Sequence, residues 1–168
     1  MLRRASSLLL LLVPVLLASC SGTVFHCFNG IEGSQWSRND TVQFVYDTSF
    51  DKAATEYTLF FEARVDASYS YRNLVARVEC LSGSDGSLVA ADTLCCEVYG
   101  ADGHRKGATA GILYQVKSGP MSVEAGGGDT LLVSVSHIME CDTLGGVSDV
   151  GIRLESSYGR GPRQSSEK

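Results

Sequence analysis

The sequence predicts an all-β domain: an antiparallel two-sheet β-sandwich of jelly-roll type with about eight strands. Three observations predict it. Apolar and polar residues alternate with period two through most of residues 41–155, as half-buried antiparallel strands do. No long run there keeps a helical period. Turn-forming Gly, Asp and Ser punctuate the alternating runs.

The runs follow in order. "TVQFVYD" sets Val42, Phe44 and Tyr46 against Thr41 and Gln43. One helical turn is expected over Asp51–Ala54. "EYTLFFEARVDA" sets Tyr57, Leu59, Phe61, Ala63 and Val65 against Thr58, Glu62, Arg64 and Asp66. "YRNLVARVECL" alternates again, and "SGSDGS" after it carries Asp85-Gly86, a tight-hairpin signal. "LVAADTLCCEVY" is the return strand, and "GADGHRKG" is a longer polar loop. "GILYQVK" and "MSVEA" flank the turn "KSGP", and "AGGGD" and "TLGG" mark further turns. "DTLLVSVSHIME" puts Leu131, Val133, Val135, His137 and Met139 on one face. "VSDVGIRLES" does the same with Val150, Ile152 and Leu154. Many short strands without long helices pack as two sheets.

The domain is therefore placed at residues 36–155. Residues 20–35, with Gly22, Gly30 and Gly33, read as a tether. The polar stretch 156–168 reads as a disordered tail.

The first 19 residues read as a signal peptide. Arg3 and Arg4 precede an apolar run, Leu8–Leu17, about half the roughly 20 residues a membrane span needs. The run ends in Leu17-Ala18-Ser19-Cys20, which resembles the bacterial lipobox. That motif needs a thiol at the new N-terminus, where a diacylglyceryl thioether forms before cleavage. Cys20 is then the acylated first residue, also acylated on its amine (a palmitate-type modification), and two or three chains make a stable anchor. Ser21 is not the Asp that retains enteric lipoproteins in the inner membrane, and no acidic surface-export run follows. The expectation is an outer-membrane anchor with the domain facing the periplasm.

Charge narrows the partners. The chain carries 14 basic and 19 acidic residues, and the signal removes basic ones only, so the mature protein is distinctly acidic. No basic cluster is present, which argues against nucleic acid and against electrostatic docking on anionic lipid.

The other cysteines, Cys27, Cys80, Cys95, Cys96 and Cys141, form no C-x-x-C pair and have no histidine at ligand spacing. Cys80 falls in phase with Leu74, Ala76 and Val78, and Cys96 with Leu94 and Val98, so both read as core. A Cys80–Cys96 bridge between neighbouring strands is the oxidised alternative. Cys95 points away from Cys96.

No nucleophile elbow, phosphate loop, dinucleotide fingerprint or zinc-protease motif occurs. His26 falls in the tether and His104 in a polar loop. His137 falls on an apolar phase, where a hydrogen-bonded core histidine is expected. Glu62, Arg64 and Asp66, like Asp149, Arg153 and Glu155, read as a solvated sheet face. Trp36 reads as a lid on one end of the sandwich, the alternative being a sugar-stacking platform. No catalytic, cofactor-binding or metal-binding residue is expected. Asp-Thr-aliphatic tripeptides place Thr41, Thr93, Thr130 and Thr143 in a pattern that resembles the O-glycosylation acceptor of Bacteroidetes, although strand entries also favour it.

The order of features carries a further resemblance. After the lipobox come Trp36, Asp40 and Phe44, then "YSYRNLVARVE" (Tyr69–Glu79), Asp92-Thr93, "GADGHRKG", and finally "VSVSHIMECDTLGGVSDVGIRLE" (Val133–Glu155). This is similar to the GldH family of gliding-motility lipoproteins of Bacteroidetes. The resemblance implies a non-enzymatic, lipid-anchored envelope protein supporting machinery tied to gliding and type IX secretion, with envelope proteins as partners, no small-molecule substrate and no nucleic acid. It carries over no catalytic residue. The alternative function is a glycan- or ligand-binding sandwich module.

Overall fold

The computed structural model describes residues 22–51, 54–125 and 128–156. The signal run, Cys20 and residues 157–168 lie outside the described residues.

The described residues form twelve strands: β1 (Thr23–Gly30), β2 (Gln35–Ser37), β3 (Val42–Asp47), β4 (Glu56–Val65), β5 (Asn73–Ser82), β6 (Leu88–Glu97), β7 (Ala108–Ala110), β8 (Leu113–Lys117), β9 (Met121–Glu124), β10 (Thr130–His137), β11 (Thr143–Gly145) and β12 (Val147–Ser156). The larger sheet runs β1-β12-β4-β8-β7, with β9 also on β4. The second runs β3-β10-β5-β6, and β2 pairs with β11. Every pairing is antiparallel. The all-β antiparallel sandwich is thus as the alternation requires, with twelve strands instead of about eight. The additional four are β1 and the three-residue β2, β7 and β11, which are too short to display a period.

The strand β1 corrects the tether. Residues 23–30 pair with β12 from Thr23↔Glu155 to Gly30↔Asp149. The segment "TVFHCFNG" hides its strand character because it is apolar on both sides. Phe25 and Cys27 pack on the core, while Phe28 and His26 lie on the outer face. At the other terminus Ser156 is the last residue of β12, not the start of a tail, and its N–H donates to the Gly22 carbonyl at 2.8 Å. The expected helical turn begins earlier, as a 3-10 turn over Thr48–Asp51. Residues 52 and 53 lie outside the described residues.

The two edge segments β8 and β9 run along the same side of β4, separated by Ser118-Gly119-Pro120. Pro120 has no N–H to give a ladder, and Ser118 bridges the break. Its hydroxyl accepts from the Phe61 N–H at 3.0 Å, and its own N–H donates to the Phe61 carbonyl at 2.9 Å. The β5–β6 hairpin turns at Asp85-Gly86, with Gly86 at φ 71° as such a turn demands.

The core lies between the facing sheets and is filled by the apolar phases read from the sequence: Tyr57, Leu59, Phe61, Ala63 and Val65 from β4, Leu74 to Cys80 from β5, and Val150, Ile152 and Leu154 from β12. Cys80 and Cys96 are both fully buried, and both are free thiols. Burial pushes the Cys80 thiol up to about 12 and raises that of Cys96. The Cys80–Cys96 bridge is overturned by register. Cys96 lies opposite Leu74 and Cys80 opposite Ala90, so the two thiols are offset by six residues, roughly 20 Å along the strand. Cys95 is exposed, on the other face.

The sandwich has two ends. At one end β1 begins and β12 stops, and β4 starts beside β9 (Glu56↔Glu124). The Thr48–Asp51 turn belongs to this end, where the Thr48 N–H donates to the Asp129 carbonyl at 2.9 Å. The β5–β6 hairpin closes it, with Gly83 N–H donating to the Thr130 carbonyl. At the far end, Trp36 of β2 lies opposite Leu144 of β11. The indole is fully buried and donates to the Asp40 carbonyl at 2.9 Å. Trp36 is therefore a lid, and its burial rules it out as a sugar platform.

His137 meets the Trp36 ring edge-on at 5.2 Å. It is buried as expected, but neither ring nitrogen has a hydrogen-bond partner of good geometry among the described residues. Burial lowers its pKa from the ordinary 6.5, with the Trp36 backbone opposing the shift. Below about pH 6.5 the unfolded chain therefore binds a proton that the folded one does not, and stability falls as the pH drops until the folded pKa is passed. His137→Phe is expected to flatten this slope in denaturant melts run between pH 7 and pH 5. An unchanged slope would assign the pH dependence elsewhere.

Candidate functional site

The outer face of the larger sheet holds a cluster of charged and polar side chains. Register assembles it: His26 pairs with Arg153 and Phe28 with Gly151 across β1–β12, Arg153 pairs with Phe60 and Gly151 with Glu62 across β12–β4, and Glu62 pairs with Lys117 across β4–β8. Paired residues share a face, so these side chains project together away from the core.

Glu62 sits at the centre. It is 1% exposed, on the face expected to be solvated. The solvated-face expectation fails there, because long side chains from three neighbouring strands cover it. Its Oε2 accepts from Gln115 Nε2 at 2.7 Å and lies 3.0 Å from His26 Nε2. Its Oε1 is 3.0 Å from Arg153 Nε, an ion pair whose angle is poor for a directed hydrogen bond. A buried carboxylate is tolerated only when paired in this way. Arg64 and Asp149 keep a looser contact at 4.0 Å, and Arg153 also approaches Glu155 at 3.9 Å. Asp66 lies beyond the end of β4, where the Ser68 hydroxyl and N–H bind its carboxylate and lower its pKa.

Aromatic rings complete the cover. The Arg64 guanidinium lies 3.8 Å from the centre of the Phe28 ring, and Lys117 Nζ lies 4.4 Å from that of Phe60, with Arg153 on the same ring at 5.3 Å. Phe28 reaches over β12 only because residue 151 is glycine: a Cβ there would stand 2.5 Å from the ring. Gly151→Ala is expected to displace the ring from its place over β12 and against Arg64 and cost about 1–3 kcal/mol, read as a shift in the urea midpoint. A midpoint within error of the parent would show that the ring is not held there.

Beside this cluster an open cleft of about 470 Å³ is lined by Glu62, Gln115, Lys117, Arg153 and, from the adjoining loop and strand, Lys106 and Glu97. Gly107 brings that loop close. Its φ is +87°, and a Cβ would fall 2.1 Å from the Gln115 carbonyl oxygen. Chemically the cluster is a tie. The Glu62 carboxylate meets residues of β1, β12 and β8, so it cross-links four strands.

Sequence reasoning placed His26 in a tether and gave Gln115 and Lys117 no role. The usable signal was Gly151, since a glycine inside a strand pattern marks a close approach. Among the described residues no group of three or more His, Cys, Asp or Glu side chains is placed to hold a metal ion. His104 stays in an exposed loop. Thr41, Thr93 and Thr143 are exposed, while Thr130 is half-buried against Gly83. Cys20 lies outside the described residues.

A sandwich stabilised by a neutralised polar tie, beginning at Thr23, is the class of domain these features define. Residues 23–154 match the family model of the GldH lipoprotein, and the chain belongs to that family. The matched range starts with β1, in agreement with its place in the domain. Membership makes the protein a gliding-motility-associated lipoprotein, held in the cell envelope by lipid. No described helix is long and apolar enough to cross a membrane. The chain has no significant match among curated proteins. Among solved structures, "Crystal structure of infectious bursal disease virus VP2 subviral particle" aligns at 14% identity over 83% of this chain and 46% of that chain, with a TM-score of 0.21. This chain thus spans less than half of that viral chain, and a likeness of this size bears on neither fold nor function.

Proposed function

We propose that this protein is a non-enzymatic lipoprotein supporting the assembly or stability of envelope machinery linked to gliding and type IX secretion. It is anchored through Cys20 in the outer membrane with its domain in the periplasm. The family match over nearly the whole described domain carries this reading. The pairing of Glu62 with His26, Gln115 and Arg153 supports a structural use of this cluster. The glycan-binding alternative loses Trp36 as a platform, since the indole is buried.

The test is crosslinking in native envelopes followed by purification of the lipidated protein. Recovery of secretion or gliding components is the expected result. Recovery of none, together with binding on a glycan array, would overturn the proposal in favour of the alternative. Cys20→Ala is expected to move the protein out of the membrane fraction, and removal of the domain by protease shaving of intact cells would refute the periplasmic orientation. A hexose-sized excess in the intact mass would assign O-glycosylation to one or more of Thr41, Thr93, Thr130 and Thr143.

A further inference from the structure

The distance between the anchor and the domain is set by covalent geometry. Only Ser21 and Gly22 separate Cys20 from β1. At full extension this places the Cα of Cys20 within about 10 Å of that of Thr23. Gly22 is itself fixed, because its carbonyl accepts from Ser156 at the end of β12. The end of the sandwich where β1 begins is thus held at the membrane surface.

That end carries unpartnered apolar groups. Phe50, in the Thr48–Asp51 turn, is 84% exposed. On the outer face of the second sheet one row of paired residues crosses all four strands: Val45↔Leu132, Leu132↔Leu81 and Leu81↔Leu88. Its outer members, Val45 and Leu88, are each 60% exposed. Val45 lies two residues from Asp47, where β3 gives way to the Phe50 turn. The other exposed large apolar residues, Tyr71, Ile112 and Ile138, lie toward the opposite end.

We propose that this end is a membrane seat: Phe50 enters the interface of the bilayer that holds the lipid anchor, and the Val45–Leu88 row rests beside it. Aromatic and apolar side chains favour that depth. Asp47, Glu56, Asp85 and Glu124 are exposed around this end.

This inference rests on the lipidated Cys20 of the proposed function, and the test separates the two. The full mature protein, with acylation checked by intact mass, is reconstituted into phosphatidylcholine vesicles containing brominated lipid. Three forms are compared: the parent, whose Trp36 is buried, Phe50→Trp, and Ile112→Trp at the opposite end. The proposal expects all three to float with the vesicles and the residue-50 tryptophan alone to be quenched, by roughly twofold at interfacial depth. Floating protein whose residue-50 tryptophan stays unquenched would overturn the seat while leaving the anchor intact. Shielding of that tryptophan from aqueous quencher without bromolipid quenching would do the same, assigning the patch to protein contact. A mature chain without acyl mass would remove the leash and overturn both.

Discussion

Trp36→Ala is expected to be the most damaging single substitution, costing about 3–5 kcal/mol and lowering the melting temperature by about 10 °C or more. The indole is fully buried, closes the far end of the core against His137 and Leu144, and ties β2 to the Asp40 carbonyl through its N–H. Truncation removes the ring, its hydrogen bond and the cover over an imidazole that has no other good partner. Trp36→Phe keeps most of the packing and loses the donor, so its cost should be distinctly smaller. Calorimetric melts of the two variants make the comparison. Equal and small losses would mean that the lid is not part of the cooperative core.

Arg153→Met should cost about 2–3 kcal/mol. Removing one member of a buried ion pair costs more, about 3–5 kcal/mol, when it leaves a charge with no partner. Here His26 and Gln115 still face Glu62, and methionine keeps an apolar stem over Phe60, so the loss is reduced. The second half of the prediction is diagnostic. Glu62→Gln added to Arg153→Met should restore much of the loss, because the orphaned charge is gone. A double variant as unstable as the sum of the singles would show that the two side chains act independently.

The alternating strands were legible because each has one face in the core and one outside, which imposes period two. The edge strand β1 was not. Phe25 and Cys27 face the core while Phe28 folds over Gly151 and carries Arg64, so both phases are apolar and the alternation vanishes. The polar tie was less legible still. His26 and Glu62 are 36 residues apart in sequence and meet only because β12 lies between their strands. Glu62 looked like a solvated residue because its composition and phase are those of one. Its burial comes from neighbours that only the register supplies. The unlikelihood of a Cys80–Cys96 bridge was hidden for the same reason, since adjacency of strands says nothing of their offset.

The attachment point has a mechanical meaning. With Cys20 lipidated as proposed, the anchor would join the chain at the start of β1, which lies antiparallel to β12 over its length. A load drawn between the membrane and a partner at the far end of the domain would run along these strands. Ladder hydrogen bonds lie perpendicular to the strands, so such a load strains the whole β1–β12 set together in shear, and none can be peeled away first. The Glu62 tie, which joins β1 to β12, β4 and β8 through side chains, spreads the same load over the larger sheet. A pull across the strands would instead unzip them one bond at a time.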